Sequence, residues 1–156
     1  MPDIIQQFDE QALVWIAQNI RSAMLDPFME LYTQLGNAGM LFIALGVLML
    51  FFKPTRKAGF SALCAMLIGL IVVNFTIKPL VSRPRPWLVM ENFVNLVPEH
   101  DPNSFPSGHT NAAFAFALAA CVSAPRRWMK ITAVCMAVVM GLSRLYVGVH
   151  FPSDVL

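Results

Sequence analysis

The sequence predicts an all-α fold, a polytopic transmembrane helical bundle, and three observations carry that prediction. Long uncharged runs alternate with short basic turns, and only 13% of residues are charged against 57% hydrophobic. Mean hydropathy is +0.62. Soluble domains carry nearly twice that charged fraction, and long charge-free runs are what a bilayer demands of a crossing helix. At 156 residues the chain reads as one membrane-embedded domain, 1–156. A net charge of +2, with no basic tract interleaved with aromatics, gives no footing for nucleic acid as a partner.

Residues 1–30 mix apolar positions such as Leu13, Ile16 and Ile20 with Asp9, Glu10, Arg21 and Asp26. This spacing predicts an N-terminal amphipathic helix ending near Asp26-Pro27. It lies at the membrane interface or packs on the bundle, and its charges recur too often for a full crossing. The first basic residue is Arg21, so the early positive charges of a secretory signal peptide are missing.

Leu31 to Phe52 holds no charge, and 22 residues cover the bilayer core at about 1.5 Å each. A basic turn, Lys53-Pro54-Thr55-Arg56-Lys57, leads to a second charge-free run, Ala58 to Ile77. A polar, proline-rich connection from Lys78 to about Phe105 precedes a third span, Ser107 to Ala124, whose Ala and Gly content allows close helix approach. Pro125 to Lys130 is a second basic turn, and Ile131 to Val149 a fourth span. Pro152 and Ser153 sit where a further helix begins. That helix is expected to be truncated, as in a shortened chain or one packed by a neighbour. Cys64, Cys121 and Cys135 are isolated in apolar runs and read as buried packing residues.

The basic turns fall on one side of this topology, which the positive-inside rule assigns to the cytoplasm. Lys78, Arg83, Arg85 and Arg144 then fall on the outer face against the rule, and an anionic ligand is the simplest reason. In Lys78 to Pro86 the prolines hold the arginines in extended chain, where a planar guanidinium can grip paired phosphate oxygens. A basic cluster snorkelling to lipid headgroups is the alternative. In Pro106-Ser107-Gly108-His109, Ser107 can cap the third span and Gly108 admits a ligand to the backbone. His109 follows as a proton donor, or as an ordinary interfacial histidine. In the third stretch Arg144 is costly in a bilayer and so a functional candidate. Asp154 follows His150 by four residues, able to accept from one ring nitrogen and leave the other as nucleophile.

Together these stretches resemble the type 2 phosphatidic acid phosphatase family of membrane lipid phosphatases. Its signature is a lysine, six residues and Arg-Pro; a Pro-Ser-Gly-His; and Ser-Arg, five residues, His, three residues, Asp. Lys78 with Arg85-Pro86, Pro106 to His109, and Ser143-Arg144 with His150 and Asp154 match at every spacing. The resemblance implies that Lys78, Arg85 and Arg144 bind phosphoryl oxygens, joined by Ser107 and the Gly108 N–H. It implies that His150 attacks phosphorus to form a phosphohistidine, that Asp154 orients it, and that His109 protonates the leaving oxygen. Arg83 also precedes a proline and is an auxiliary contact. No metal or other cofactor is implied, and one Asp with two His makes a poor metal cage.

The expected partners are membrane lipids and a lipid phosphate substrate, with undecaprenyl diphosphate favoured for an outer-facing site. Phosphatidylglycerophosphate and phosphatidate are alternatives. The apolar residues between Trp87 and Leu96 either admit lipid chains at the interface or pack over the bundle. Two other classes stand beside this reading: a vanadium haloperoxidase, against which the spans argue, and a non-catalytic lipid-phosphate binding or transport module. Oligomeric state is not legible in the sequence.

Overall fold

The computed structural model describes residues 3–156. The first two residues of the predicted amphipathic segment lie outside the described residues. Among the described residues the architecture is all-α, with no strand and only an isolated bridge between Pro84 and Asn103.

Helix α1, Asp3–Asn19, turns Ile4, Phe8 and Trp15 outward and buries Asp9 and Leu13 against the bundle. It is therefore docked through a face carrying a carboxylate, with its large apolar side chains left to the membrane side. Contrary to expectation the helix stops at Asn19, and Asp26-Pro27 opens a helix instead of closing one. Pro27 needs no N–H partner in a first turn, so α2 runs Asp26–Leu35.

The expected span Leu31–Phe52 is broken. A 3₁₀ turn, Asn37–Gly39, separates α2 from α3, Met40–Leu50, and the two arms meet at 54°. Ala38 and Gly39 have φ of 51° and 72°, left-handed values that end a helix. The Gly-Asn-Ala-Gly run carried that signal, and the charge-free run masked it.

Helix α4, Arg56–Gly69, continues through a π-helical segment, Leu70–Ile77, into α5, Lys78–Val81. The continuous 26 residues are long and apolar enough to cross a membrane. Lys78 thus belongs to a helical turn, not to the extended connection predicted for it, because Pro79 sits in the first turn of α5 where proline is tolerated. Arg83 and Arg85 lie beyond in non-helical chain before the short α6, Pro86–Val89.

Helix α7, Gly108–Ser123, starts as predicted at Ser107, whose hydroxyl accepts from the Thr110 N–H. It has 16 residues, fewer than α8, Arg127–Tyr146, which with the α4–α5 run is long and apolar enough to cross. The bent α2–α3 pair counts as a third span if taken as one. Helix α8 ends at Tyr146, short of the expected Val149, and a tight turn with Gly148 at φ +80° carries the chain to α9, Pro152–Val155.

Small side chains set the packing. Ala113, Ala117 and Ala120 of α7 meet Ala133 and Ala137 of α8 in a buried seam, closed by Phe42, Phe116 and Met140. Between α3 and α4, a Cβ on Gly59 would lie 2.6 Å from the Gly46 carbonyl. Without water to drive helices together, close backbone approach of this kind supplies the contact energy. The three cysteines are free, with Cys64 and Cys135 exposed and Cys121 half-buried, so the expectation of buried packing residues is corrected. In a membrane bundle the apolar face points out as well as in, so hydropathy alone could not assign them inward.

Pro54 and Thr55 of the first basic turn and Trp128 and Met129 of the second line one hollow, so the two basic turns share one end of the bundle. The three chemical stretches meet at the other.

Candidate active site

A cavity of about 530 Å³ opens at that second end. Its polar wall is Lys78, Arg85, Glu99, Asp101, Gly108, His109 and His150. Its apolar wall continues between α3, α4 and α7 along Ile43, Leu63, Met66, Leu67 and Leu70.

His150 is held by the turn after α8 and is buried. Its Nε2 lies 3.0 Å from Arg85 Nη1, which also donates to the Val149 carbonyl at 2.8 Å. A guanidinium only donates, so Nε2 accepts and the ring proton belongs on Nδ1. Nδ1 faces Asp154 Oδ2 at 3.6 Å, too long for a hydrogen bond, with the Ser104 backbone a further acceptor beside the ring. Burial, then the charges of Arg85, Arg144 and Lys78, hold this imidazole well below the usual histidine range. The ring is thus neutral, with its lone pair on the nitrogen beside a cavity-lining arginine.

Across the cavity, His109 stands in the first turn of α7 with Nε2 2.9 Å from Asn37 Oδ1. With the amide oxygen accepting, the His109 proton sits on Nε2. The break between α2 and α3 makes this contact, since it brings Asn37 under the ring, while a Cβ on Gly36 would lie 3.1 Å from His109 Cδ2.

The cations are occupied by carboxylates that sequence reasoning missed. Lys78 Nζ meets Asp101 Oδ2 at 2.7 Å, Arg144 Nη2 meets Glu99 Oε2 at 2.8 Å, and Arg85 Nη2 lies 3.7 Å from each carboxylate. Burial would raise the Asp101 carboxyl, but the Lys78 hydrogen bond, the Asn103 amide and the Arg85 charge outweigh it and hold it low. Burial lowers the Arg85 guanidinium against the opposing pull of Glu99 and Asp101. Two acids framed by Pro98 and Pro102, in a connection facing four cations, were the available signal.

Not every expected residue reaches the cavity. Arg144 is buried behind it, donating to Thr33 Oγ1 at 2.8 Å and touching the polar wall through Glu99. The Ser107 hydroxyl is turned to its own helix, accepting from Thr110 N–H and Oγ1, while its N–H donates to the Asp154 carbonyl. The Asp154 carboxylate accepts from Phe151 N–H at 2.8 Å and from Arg83 Nη1 at 2.6 Å. Arg83, expected as an auxiliary phosphate contact, lies on the far side of Asp154 and does not line the cavity. The connection after Arg85 packs over the end of α8, with Leu96 N–H on the Val147 carbonyl and Val97 buried, while Leu88 and Val94 stay exposed.

A helical membrane bundle with a cationic, histidine-bearing pocket at one end defines the class: a membrane protein built to hold an anion. The chain belongs to the PAP2 superfamily, whose family model matches residues 58–156. It is 36% identical over 118 residues to an undecaprenyl-diphosphatase from Sulfolobus acidocaldarius, covering 73% of this chain and 54% of that protein. The chain thus spans about half the length of that relative. Among solved structures, Aquifex aeolicus LpxE superposes with a TM-score of 0.80 at 29% identity, over 95% of this chain and 86% of the other. A transmembrane PAP2-type phosphatidylglycerolphosphate phosphatase from Bacillus subtilis superposes with a TM-score of 0.74 at 30% identity, over 98% and 78%.

Proposed function

We propose that this chain is a single membrane-embedded domain that hydrolyses a phosphate or diphosphate from a lipid at the outer membrane face, through a phosphohistidine on His150. The observation that carries the reading is the His150 ring itself: neutral, buried, and with its Nε2 lone pair beside Arg85 at the wall of a cationic cavity. In the first step Nε2 bonds to phosphorus and the bond to the lipid-side oxygen breaks, with His109, taken to the imidazolium beside the bound phosphate's negative charge, supplying from Nδ1 the proton that oxygen takes up while its Nε2–H stays on Asn37. Asp154 holds the imidazolium that results. In the second step water attacks phosphorus, its proton passes to the now neutral His109, the P–Nε2 bond breaks, and inorganic phosphate departs, leaving His150 free.

Lys78 and Arg85 serve the phosphoryl oxygens directly, and Arg144 joins them once Glu99 releases it. Ser107 shapes the cradle by fixing the start of α7, leaving the Gly108 backbone N–H to the anion. Preorganised positive charge in a water-poor site is the largest expected contribution to rate. The outer-face assignment rests on the two basic turns sharing the opposite end of the bundle.

The apolar half of the cavity suits a hydrocarbon tail entering between α3 and α4. Undecaprenyl diphosphate is the favoured substrate, supported by the Sulfolobus relative. Phosphatidylglycerophosphate is the second reading, supported by the likeness to the Bacillus enzyme. Phosphate release should be measured on both lipids and on phosphatidate, in excess EDTA, for wild type and His150→Ala. The reading requires release by wild type on at least one lipid and its abolition in a folded His150→Ala protein. Equal release by that variant would refute it.

A further inference from the structure

Arg83 sits at the centre of a buried charge cluster of which the reaction above uses only Asp154. Its two terminal nitrogens satisfy four acceptors: Nη1 donates to Asp154 Oδ1 at 2.6 Å and Ser153 Oγ at 2.8 Å. Nη2 donates to Asp9 Oδ2 and Gln6 Oε1, each at 2.7 Å. The guanidinium carbon lies 4.1 Å from the Phe151 ring centroid, so the fork is fixed in plane as well as in direction. Asp9 comes from α1, more than seventy residues away in sequence, and is fully buried. Its Oδ1 accepts from the Ser153 N–H at 3.0 Å and its Oδ2 from the Ser153 hydroxyl.

The charge count of this cluster has a consequence. Arg83 alone would neutralise Asp154, leaving an acceptor oxygen but no net negative charge for the His150 Nδ1–H that faces it at 3.6 Å. Two carboxylates share one guanidinium, so the cluster keeps a net charge of −1. That charge stands on the side of His150 opposite the cations Arg85, Lys78 and Arg144, where positive charge develops when Nε2 bonds to phosphorus. Asp9 therefore has a use that a buried cap alone does not explain.

We propose that Asp9 and Arg83 are positioning residues for Asp154: Arg83 aims the carboxylate, and Asp9 restores the negative charge that Arg83 would otherwise cancel. The proposal rests on the phosphohistidine reading. It makes α1 part of the site, in place of a mere interfacial anchor. A pocket of opposite charges without a shared guanidinium could not do both, because a lysine offers no planar fork to aim two carboxylates at once.

The test compares Asp9→Asn with the double variant Asp9→Asn/Arg83→Gln, in the full chain in detergent, on whichever lipid wild type hydrolyses. Asp9→Asn keeps the shape and an oxygen for the Ser153 N–H, removes the charge, and turns an amide NH2 towards Arg83 Nη2 in place of the acceptor Oδ2. It is expected to lower kcat about ten- to a hundredfold, by analogy with the hydrogen-bonded partners that orient metal-ligating histidines, with KM within about twofold. The groups facing His150 are Arg85, Lys78, Arg144, His109 and Asp154, with Glu99 and Asp101 behind the cations. Loss of negative charge beyond Asp154 should therefore move the acid limb of kcat/KM to lower pH. In the double variant the bare Asp154 charge returns, and kcat should recover part of the loss. Asp9→Asn within twofold of wild type would overturn the proposal. So would a loss with an unmoved acid limb that the double variant deepens, the pattern of a purely structural cap. Failure of wild type on every lipid would instead refute the phosphatase reading, so the two failures are distinguishable.

Discussion

Asp154→Asn isolates the charge facing His150. The substitution keeps volume and an oxygen for the Phe151 N–H, and leaves Arg83 paired with Asp9 and Ser153. It removes the attraction between a carboxylate and the imidazolium that forms on phosphorylation, together with the acceptor of the 2.6 Å Arg83 Nη1 hydrogen bond, where an amide NH2 now stands. At the observed 3.6 Å and an effective dielectric of 20, that attraction is about 4–5 kcal/mol. At 1.36 kcal/mol per decade this predicts a fall in kcat of about 10³-fold. The orienting aspartate of a serine-protease triad, worth about 10⁴ on replacement by Asn, sets the upper end. The assay is single-turnover formation of acid-labile phosphoenzyme with a radiolabelled lipid phosphate, alongside steady-state kcat and KM. Slowed phosphoenzyme formation with little change in KM is expected. A loss below tenfold in a folded protein would refute the argument and leave Asp154 as a cap for the Phe151 N–H.

Three further outcomes follow from the same geometry. Because His150 titrates well below about 6.5, the acid limb of kcat/KM should lie below that pH. Its folded pKa being under its unfolded value, stability should be full above about 6.5 and decline as pH falls, since only the unfolded chain takes up the proton. A thermal midpoint in detergent that rises between pH 7 and 5.5 would contradict this. Glu99→Gln with Asp101→Asn should tighten inhibition by inorganic phosphate severalfold, by freeing Lys78, Arg85 and Arg144 of internal anions. Titration calorimetry or competition kinetics showing weaker phosphate binding would count against a shared anion site. Gly148→Ala should destabilise by about 1–2 kcal/mol for its left-handed φ. The new Cβ also meets Arg21 Nη2 at 2.5 Å and Phe93 at 2.8 Å, so a thermal midpoint equal to wild type would refute the strain argument.

The fold class was legible because lipid imposes it: a chain with so few charges and such long apolar runs must satisfy its backbone within helices. The motif residues were legible by spacing, and five of them, Lys78, Arg85, Gly108, His109 and His150, do line one cavity. Less visible was the break at residues 36–39, because hydropathy is blind to backbone dihedrals; yet it is that break which puts Asn37 beside His109.

Sequence by itself therefore determined the membrane bundle, the end at which the basic turns lie, and which residue types gather for an anion. Tertiary structure alone decided how those residues divide their labour. It set Arg83 against Asp9 and away from the cavity, filled the cationic cradle with Glu99 and Asp101, and turned the His150 lone pair towards Arg85. The physical reason is range. Hydropathy and motif spacing are local properties of the chain, whereas pairing charges in a low-dielectric interior depends on distances between residues separated by as many as 144 positions, as Asp9 and Ser153 are.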